Sequence, residues 1–181
     1  MVLKIQQMEN ILDLLMYIII KKESILMRSY KEYVDKNKIV LQKALDIDNN
    51  KWDEKNTLED IINKEQIKVN FEENKAYLVV YEGQPEITIK LIEEAINSNS
   101  SIVFTIKDYY LAINKILIEI ANKCILENKK QILFKLYNNI NEEKIYEASE
   151  ISDKTIYIGN KEDFDYIKKN IKGETIFIEY E

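Results

Sequence analysis

The stretch from Ala76 to Ile106, AYLVVYEGQPEITIKLIEEAINSNSSIVFTI, limits the possible folds more than any other part of the chain. Ala76 to Tyr81 is a short apolar run rich in Val and Tyr. Gly83 and Pro85 punctuate it, and Thr88, Leu91, Ile92, Ala95 and Ile96 then recur at helical spacing. Pro85 suits a first helical turn, where the N–H it lacks would have no partner in any case. Ser98 to Ser101 end the helix, and Ile102 to Ile106 is a second β-branched run. Two strands joined through a helix of this length are parallel neighbours with a right-handed crossover.

Downstream the same alternation continues. Ile113, Ile116, Leu117, Ile120, Ala121 and Cys124 form a helical stripe ending at Asn128, and Gln131 to Tyr137 reads as a third strand. A weakly periodic stretch around Glu142 to Ala148 precedes a strand at Thr155 to Ile158. A helix from Lys161 to Ile171 and a fifth strand at Thr175 to Tyr180 complete the pattern. This predicts an α/β fold over residues 67–181: a doubly wound, mostly parallel five-stranded sheet with helices on both faces. Residues 1–66 read as an N-terminal helical layer of the same domain. Met1 to Lys22 puts Ile5, Met8, Ile11, Leu12, Leu15, Ile18 and Ile19 on one face. Ser24 can cap a second helix, with Leu26, Tyr30, Tyr33, Val34, Leu41, Ala44 and Leu45 on its face, that Asp48-Asn49-Asn50 ends. Thr57 caps a short helix running to Lys64.

Composition removes whole classes of chemistry. A net charge of −6, with no basic stripe, argues against binding nucleic acid. With no histidine, Ser-His and His-metal arrangements are excluded, and one cysteine cannot form a disulfide within the chain or a thiolate zinc cluster. Cys124 belongs to an apolar stripe and reads as a core thiol. Neither a phosphate-binding Gly-x-x-x-x-Gly-Lys sequence nor a Gly-rich dinucleotide fingerprint occurs. No secretory signal is recognisable. Met16 to Ile20 extends an apolar patch that Asp13 and Lys21-Lys22 hold short of a membrane span. A cytoplasmic location without membrane contact is expected.

The three glycines are informative. Gly83 and Gly159 each follow a strand and precede a helix; they serve either tight turns or the carboxyl-end positions where such sheets bind ligands. Gly173 links a helix to the last strand. Glu93-Glu94, Glu142-Glu143 and Asp163/Asp165 read as solvated faces or helix N-terminal charges. Tyr77, Tyr81, Tyr137 and Tyr157 fall on strands as packing residues. Glu179 and Glu181 share a strand face, either as an acid–base pair or as a solvated terminus.

An ordered series of motifs resembles the aldehyde dehydrogenase superfamily. Pro85 to Asp108 is similar to the segment in which a proline-containing turn opens a helix that ends in Ala-Leu-x-x-Gly-Asn, before a strand leading to Lys-Pro-Ser-Glu. Here that register reads Ala95-Ile96-Asn97-Ser98-Asn99-Ser100 and Thr105-Ile106-Lys107-Asp108. The long helix and ILFKLY strand that follow look like the family's next unit, and Ser24 to Asp48 like its N-terminal helix. Ile151 to Asn160 resembles Val-Asp-Lys-Ile-Ser-Phe-Thr-Gly-Ser, and Thr175 to Glu179 resembles Val-Leu-Glu-Leu-Gly-Gly.

The resemblance implies that Glu179 falls on the general base. Gly159 and the adjacent Asn160 fall on the nicotinamide-cofactor loop, with Phe164 in place of its second glycine. Thr105 stands where the family has a cofactor-contacting lysine, and Asp108 is placed to serve a ribose. The oxyanion-hole asparagine falls on Gly83 or Gln84. The family's nucleophilic cysteine belongs to a domain beyond Glu181. The implied protein is a truncated nucleotide-binding domain with no dehydrogenase activity of its own, acting as a binding or interaction protein. Its surface would favour a homo-oligomer or another protein partner. The alternative is an NAD(P)- or adenine-nucleotide-binding module of a split oxidoreductase. A carboxylate enzyme using Glu179 and Glu181 is a third reading.

Overall fold

A computed structural model describes residues 29–64, 67–138 and 141–180. The helix expected over Met1–Lys22, the cap at Ser24 and the residue Glu181 lie outside them. Helices α1 (Tyr30–Lys36), α2 (Lys38–Trp52) and α3 (Leu58–Asn63) come first. The alternating half follows: β1 (Ala76–Tyr81), α4 (Pro85–Asn97), β2 (Ser101–Ile106), α5 (Leu111–Glu127) and β3 (Phe134–Asn138). It ends with α6 (Glu142–Glu150), β4 (Lys154–Gly159), α7 (Lys161–Ile167) and β5 (Glu174–Glu179). The strands form one parallel sheet in the order β3-β2-β1-β4-β5. The chain starts at the centre, builds to one edge, then crosses to the other side of β1.

Period-two alternation divides the strand residues between two cores. Tyr77, Val79, Phe104 and Ile156 face α4 and α5, with α1 to α3 packed outside them. Leu78, Val80 and Tyr157 face α6 and α7, meeting Ile145, Ala148 and Phe164. The sheet is therefore covered on both sides, as its nearly continuous apolar strands require.

The β1–α4 turn passes close to the turn that precedes α5. Gly83 has φ +119°, and a Cβ there would lie 2.4 Å from the Tyr109 carbonyl oxygen. The buried Asn114 amide ties the two turns together, donating to the Gly83 carbonyl at 2.5 Å and to the Tyr110 carbonyl at 2.8 Å. Its own oxygen accepts from Thr88 Oγ1 at 2.5 Å, and Tyr81 Oη completes the chain 2.5 Å from Thr88 Oγ1.

The helical layer differs from expectation. Instead of one long helix, Asn37 separates α1 from α2: its side chain donates to the Tyr33 carbonyl at 2.7 Å and its backbone N–H to Val34. Asp48-Asn49-Asn50 does not end α2. Asp48 is 2% exposed because its carboxylate accepts from the N–H groups of Ala112 and Ile113, at 3.1 and 2.8 Å, capping α5 from a neighbouring helix. Asn49 is held by Tyr110 Oη and by the Asn56 carbonyl. Polar residues that read as a terminator are tertiary ties.

Two smaller corrections concern the sheet. The third strand begins at Phe134 rather than Gln131, and Tyr137 is 45% exposed because β3 is an edge strand whose α6-side face is uncovered. The helix after β4 is α-helical only to Ile167, and Lys168–Asn170 tightens into a 3₁₀ turn. Among the described residues, no helix is long and apolar enough to cross a membrane.

Replacing Asp48 by Ala should cost about 1–3 kcal/mol in urea unfolding, because two buried N–H groups lose their acceptor. Asp46→Ala, on the exposed side of α2, should stay within about 0.5 kcal/mol. Equal effects would remove Asp48 from this role.

Candidate functional site

β1 and β4 are neighbours whose following helices leave to opposite faces of the sheet, α4 to one and α7 to the other. A crevice opens at such a switch point, beyond the carboxyl ends of the strands. Here it is a cleft of about 360 Å³ between α6 and α7. Val80, Tyr157, Ile145 and Ile167 supply apolar and aromatic lining, and Thr105 enters from β2. Around it stand Glu82, after β1; Lys107, after β2; Glu142, opening α6; and Asp163 and Tyr166 of α7.

Most of the polar groups of the cleft are already engaged. Lys107 Nζ lies 3.1 Å from Glu82 and 3.9 Å from Asp163. Tyr166 Oη donates to Glu142 at 2.5 Å, and that bond raises its hydroxyl above the usual phenol range. Burial, then the negative field of Asp163 and Glu82, pushes the Tyr157 hydroxyl up to about 12. Thr105 Oγ1 donates to the Val79 carbonyl at 3.0 Å and is 2% exposed.

The residues singled out from sequence are scattered around this cleft, and Thr105 alone of the cofactor positions lines it. Asn160 caps α7, its Oδ1 accepting from the Asp163 N–H at 2.8 Å, and so positions Asp163. Gly159 ends β4, where a Cβ would press on Tyr157 Oη at 3.1 Å. Phe164 is 4% exposed, stacked on Phe177 at 4.7 Å and against Tyr157 at 5.6 Å between ring centroids. Asp108 is held by Lys51 at 3.1 Å and Asn138 at 3.4 Å, outside the cleft. Glu179 is exposed at the end of β5, level with Gly159 in the register. Sequence reading missed Glu82, Lys107, Ile145, Tyr166 and Ile167, and took Glu142 and Asp163 for surface charge. Glu82, Lys107, Glu142, Ile145 and Asp163 share one signal, position just after a parallel strand or early in the helix that follows, whereas Tyr166 and Ile167 come from the last turn of α7.

A second, polar cavity of about 250 Å³ lies between α3 and the start of α4. Glu86 is 5% exposed there and is closed by Lys64 Nζ at 2.5 Å and Tyr180 Oη at 3.2 Å. Gln84 sits beside it, with Oε1 shielded from solvent and without a hydrogen-bond partner. Through Lys64 and Tyr180, the Glu86 carboxylate holds α3 and the end of β5 onto α4.

No protein-family model matches the sequence, and no curated protein matches it. Among solved structures, the chain is similar to gamma-glutamyl phosphate reductase from Thermotoga maritima, an enzyme of the aldehyde dehydrogenase family. The TM-score is 0.60 at 14% identity, covering 81% of this chain and 45% of that one. The likeness is one of fold, and the chain spans under half the length of that enzyme. A universal stress protein in complex with cAMP aligns at TM-score 0.38 and 12% identity, over 60% of this chain and 99% of that one. At that level the alignment says nothing of this chain's ligand.

The single thiol, Cys124, is 1% exposed inside α5, and burial pushes it above its usual value. A thiol-titrating disulfide reagent should react slowly with the native protein and fully after denaturation. Rapid native reaction would show an accessible, ionised sulfur.

Proposed function

We propose that this chain is a non-catalytic ligand-binding domain of aldehyde-dehydrogenase-like architecture whose cleft between α6 and α7 holds the adenine-bearing part of a ligand. One observation carries the reading: the cleft straddles the β1–β4 switch point, over the carboxyl ends of the strands, where open α/β sheets take their ligands. Apolar walls with a few polar groups at the mouth suit a flat heterocycle. The ordered motifs of the sequence and the fold-level likeness to gamma-glutamyl phosphate reductase support the same architecture.

The non-catalytic part rests on the groups available. Thioester chemistry of the aldehyde dehydrogenase kind needs a thiolate nucleophile, and the chain's one cysteine is a neutral thiol enclosed in α5. Glu179, matched to the general base, has no thioester in this chain to hydrolyse. With no histidine in the sequence, the side chain whose ordinary pKa lies nearest neutrality is also missing.

Calorimetric titration with adenosine, ADP and NAD tests the reading. At least one should bind with a submillimolar dissociation constant and, at about 100 times that constant, add roughly 2.7 kcal/mol to unfolding stability. Tyr166→Ala should weaken it about tenfold, or ~1.4 kcal/mol, by removing an aromatic wall. If none of the three binds, the reading fails.

A further inference from the structure

We propose that the cleft selects an uncharged, nucleoside-type ligand and rejects its phosphorylated forms. This deepens the ligand-binding reading and rests on it.

The charge around the cleft carries the argument. Of its lining residues, Glu82, Glu142 and Asp163 are acidic and Lys107 is basic, leaving a local balance of two negative charges. Lys107 is not available to a phosphate without cost, because it spans Glu82 at 3.1 Å and Asp163 at 3.9 Å. The negative field reaches the cleft wall, where Asp163 and Glu82 both disfavour ionisation of Tyr157. A phosphate brought here would meet three carboxylates at close range.

Most of the side-chain donors around the cleft are also spent. The Thr105 hydroxyl proton goes to the Val79 carbonyl, and Thr105 occupies a buried position from which it presents no charge. The Asp163 N–H goes to Asn160 Oδ1 and the Phe164 N–H to the Asn160 carbonyl. Tyr166 donates its proton to Glu142. The mouth is rich in acceptors and poor in donors, the reverse of what a phosphate needs. Ribose hydroxyls and an exocyclic amino group are donors, so a nucleoside complements both the carboxylates at the mouth and the apolar walls formed by Val80, Ile145 and Ile167.

Adenosine, AMP and NAD are compared by calorimetry on the intact chain at low and high salt. Adenosine should bind about tenfold or more tighter than AMP at low salt, with the gap narrowing as salt screens the carboxylates. Glu82→Gln, which frees Lys107 from its nearer partner, and Glu142→Gln should each raise AMP affinity several-fold; both positions are exposed, so folding should survive. AMP or NAD binding as tightly as adenosine would overturn this inference and leave the cleft as the ligand site. Discrimination unchanged by both substitutions would overturn its electrostatic basis. No binding by any of the three would overturn the ligand-binding reading itself.

Discussion

The Asn114 carboxamide holds together the two turns from which the rest of the α/β half is built. It bonds the carbonyls of Gly83 and Tyr110, while Thr88 and Tyr81 satisfy its oxygen through a buried hydroxyl chain. Fully satisfied networks of this kind specify one arrangement, because breaking any member strands the others in low dielectric. Gly83 is the necessary counterpart, since only a residue without Cβ lets the β1–α4 turn pass the Tyr109 carbonyl. The positions of α4 and α5 on one face follow, and with them the surface on which α1 and α2 dock.

From that framework the cleft is a geometric consequence. Once α4 and α5 occupy one face, α6 and α7 occupy the other, and the sheet leaves a gap where the helices diverge beyond β1 and β4. What fills the mouth of that gap is a matter of side chains rather than fold. In this chain the choice is acidic, with one lysine engaged by two carboxylates, and aromatic, with Tyr157 buried behind Phe164 and Phe177. The packed Phe164 ring closes the region between α7 and β5, and the open space lies toward α6 instead.

Much of the architecture was readable from local pattern. β1 was placed to the residue, Pro85 opens α4, Thr57 forms a capping box with Asp60, and Cys124 is a core thiol. Each depends on interactions within a few residues or on a simple periodicity, so a linear reading recovers it. Asp48 failed that test: an acid followed by two asparagines reads as a helix end, yet its carboxylate serves two N–H groups more than sixty residues away. Tyr137 failed for a related reason, because edge position decides exposure and edge position depends on strand order. The candidate site was the least legible part. Thr105 was marked through a resemblance, whereas Glu82 and Tyr166 belong to no motif and Lys107 was given no role in the one that contains it. Glu82 and Lys107 meet because β1 and β2 end at the same level, and Tyr166 reaches the cleft from the last turn of α7.

The sequence alone determined the parallel α/β class and the absence of histidine- or thiolate-cluster chemistry, since these follow from periodicity and composition. Tertiary structure decided the strand order, and hence where the switch point falls. It also decided which charges gather there, because β1, β2 and β4 are adjacent in the sheet and distant in the chain. A carboxylate's role depends on what it faces: Asp48 caps a helix, the buried Glu86 closes an ion pair, and Glu82 engages Lys107 at the mouth of the cleft. No local pattern distinguishes the three, because the partner that sets each role comes from another part of the chain.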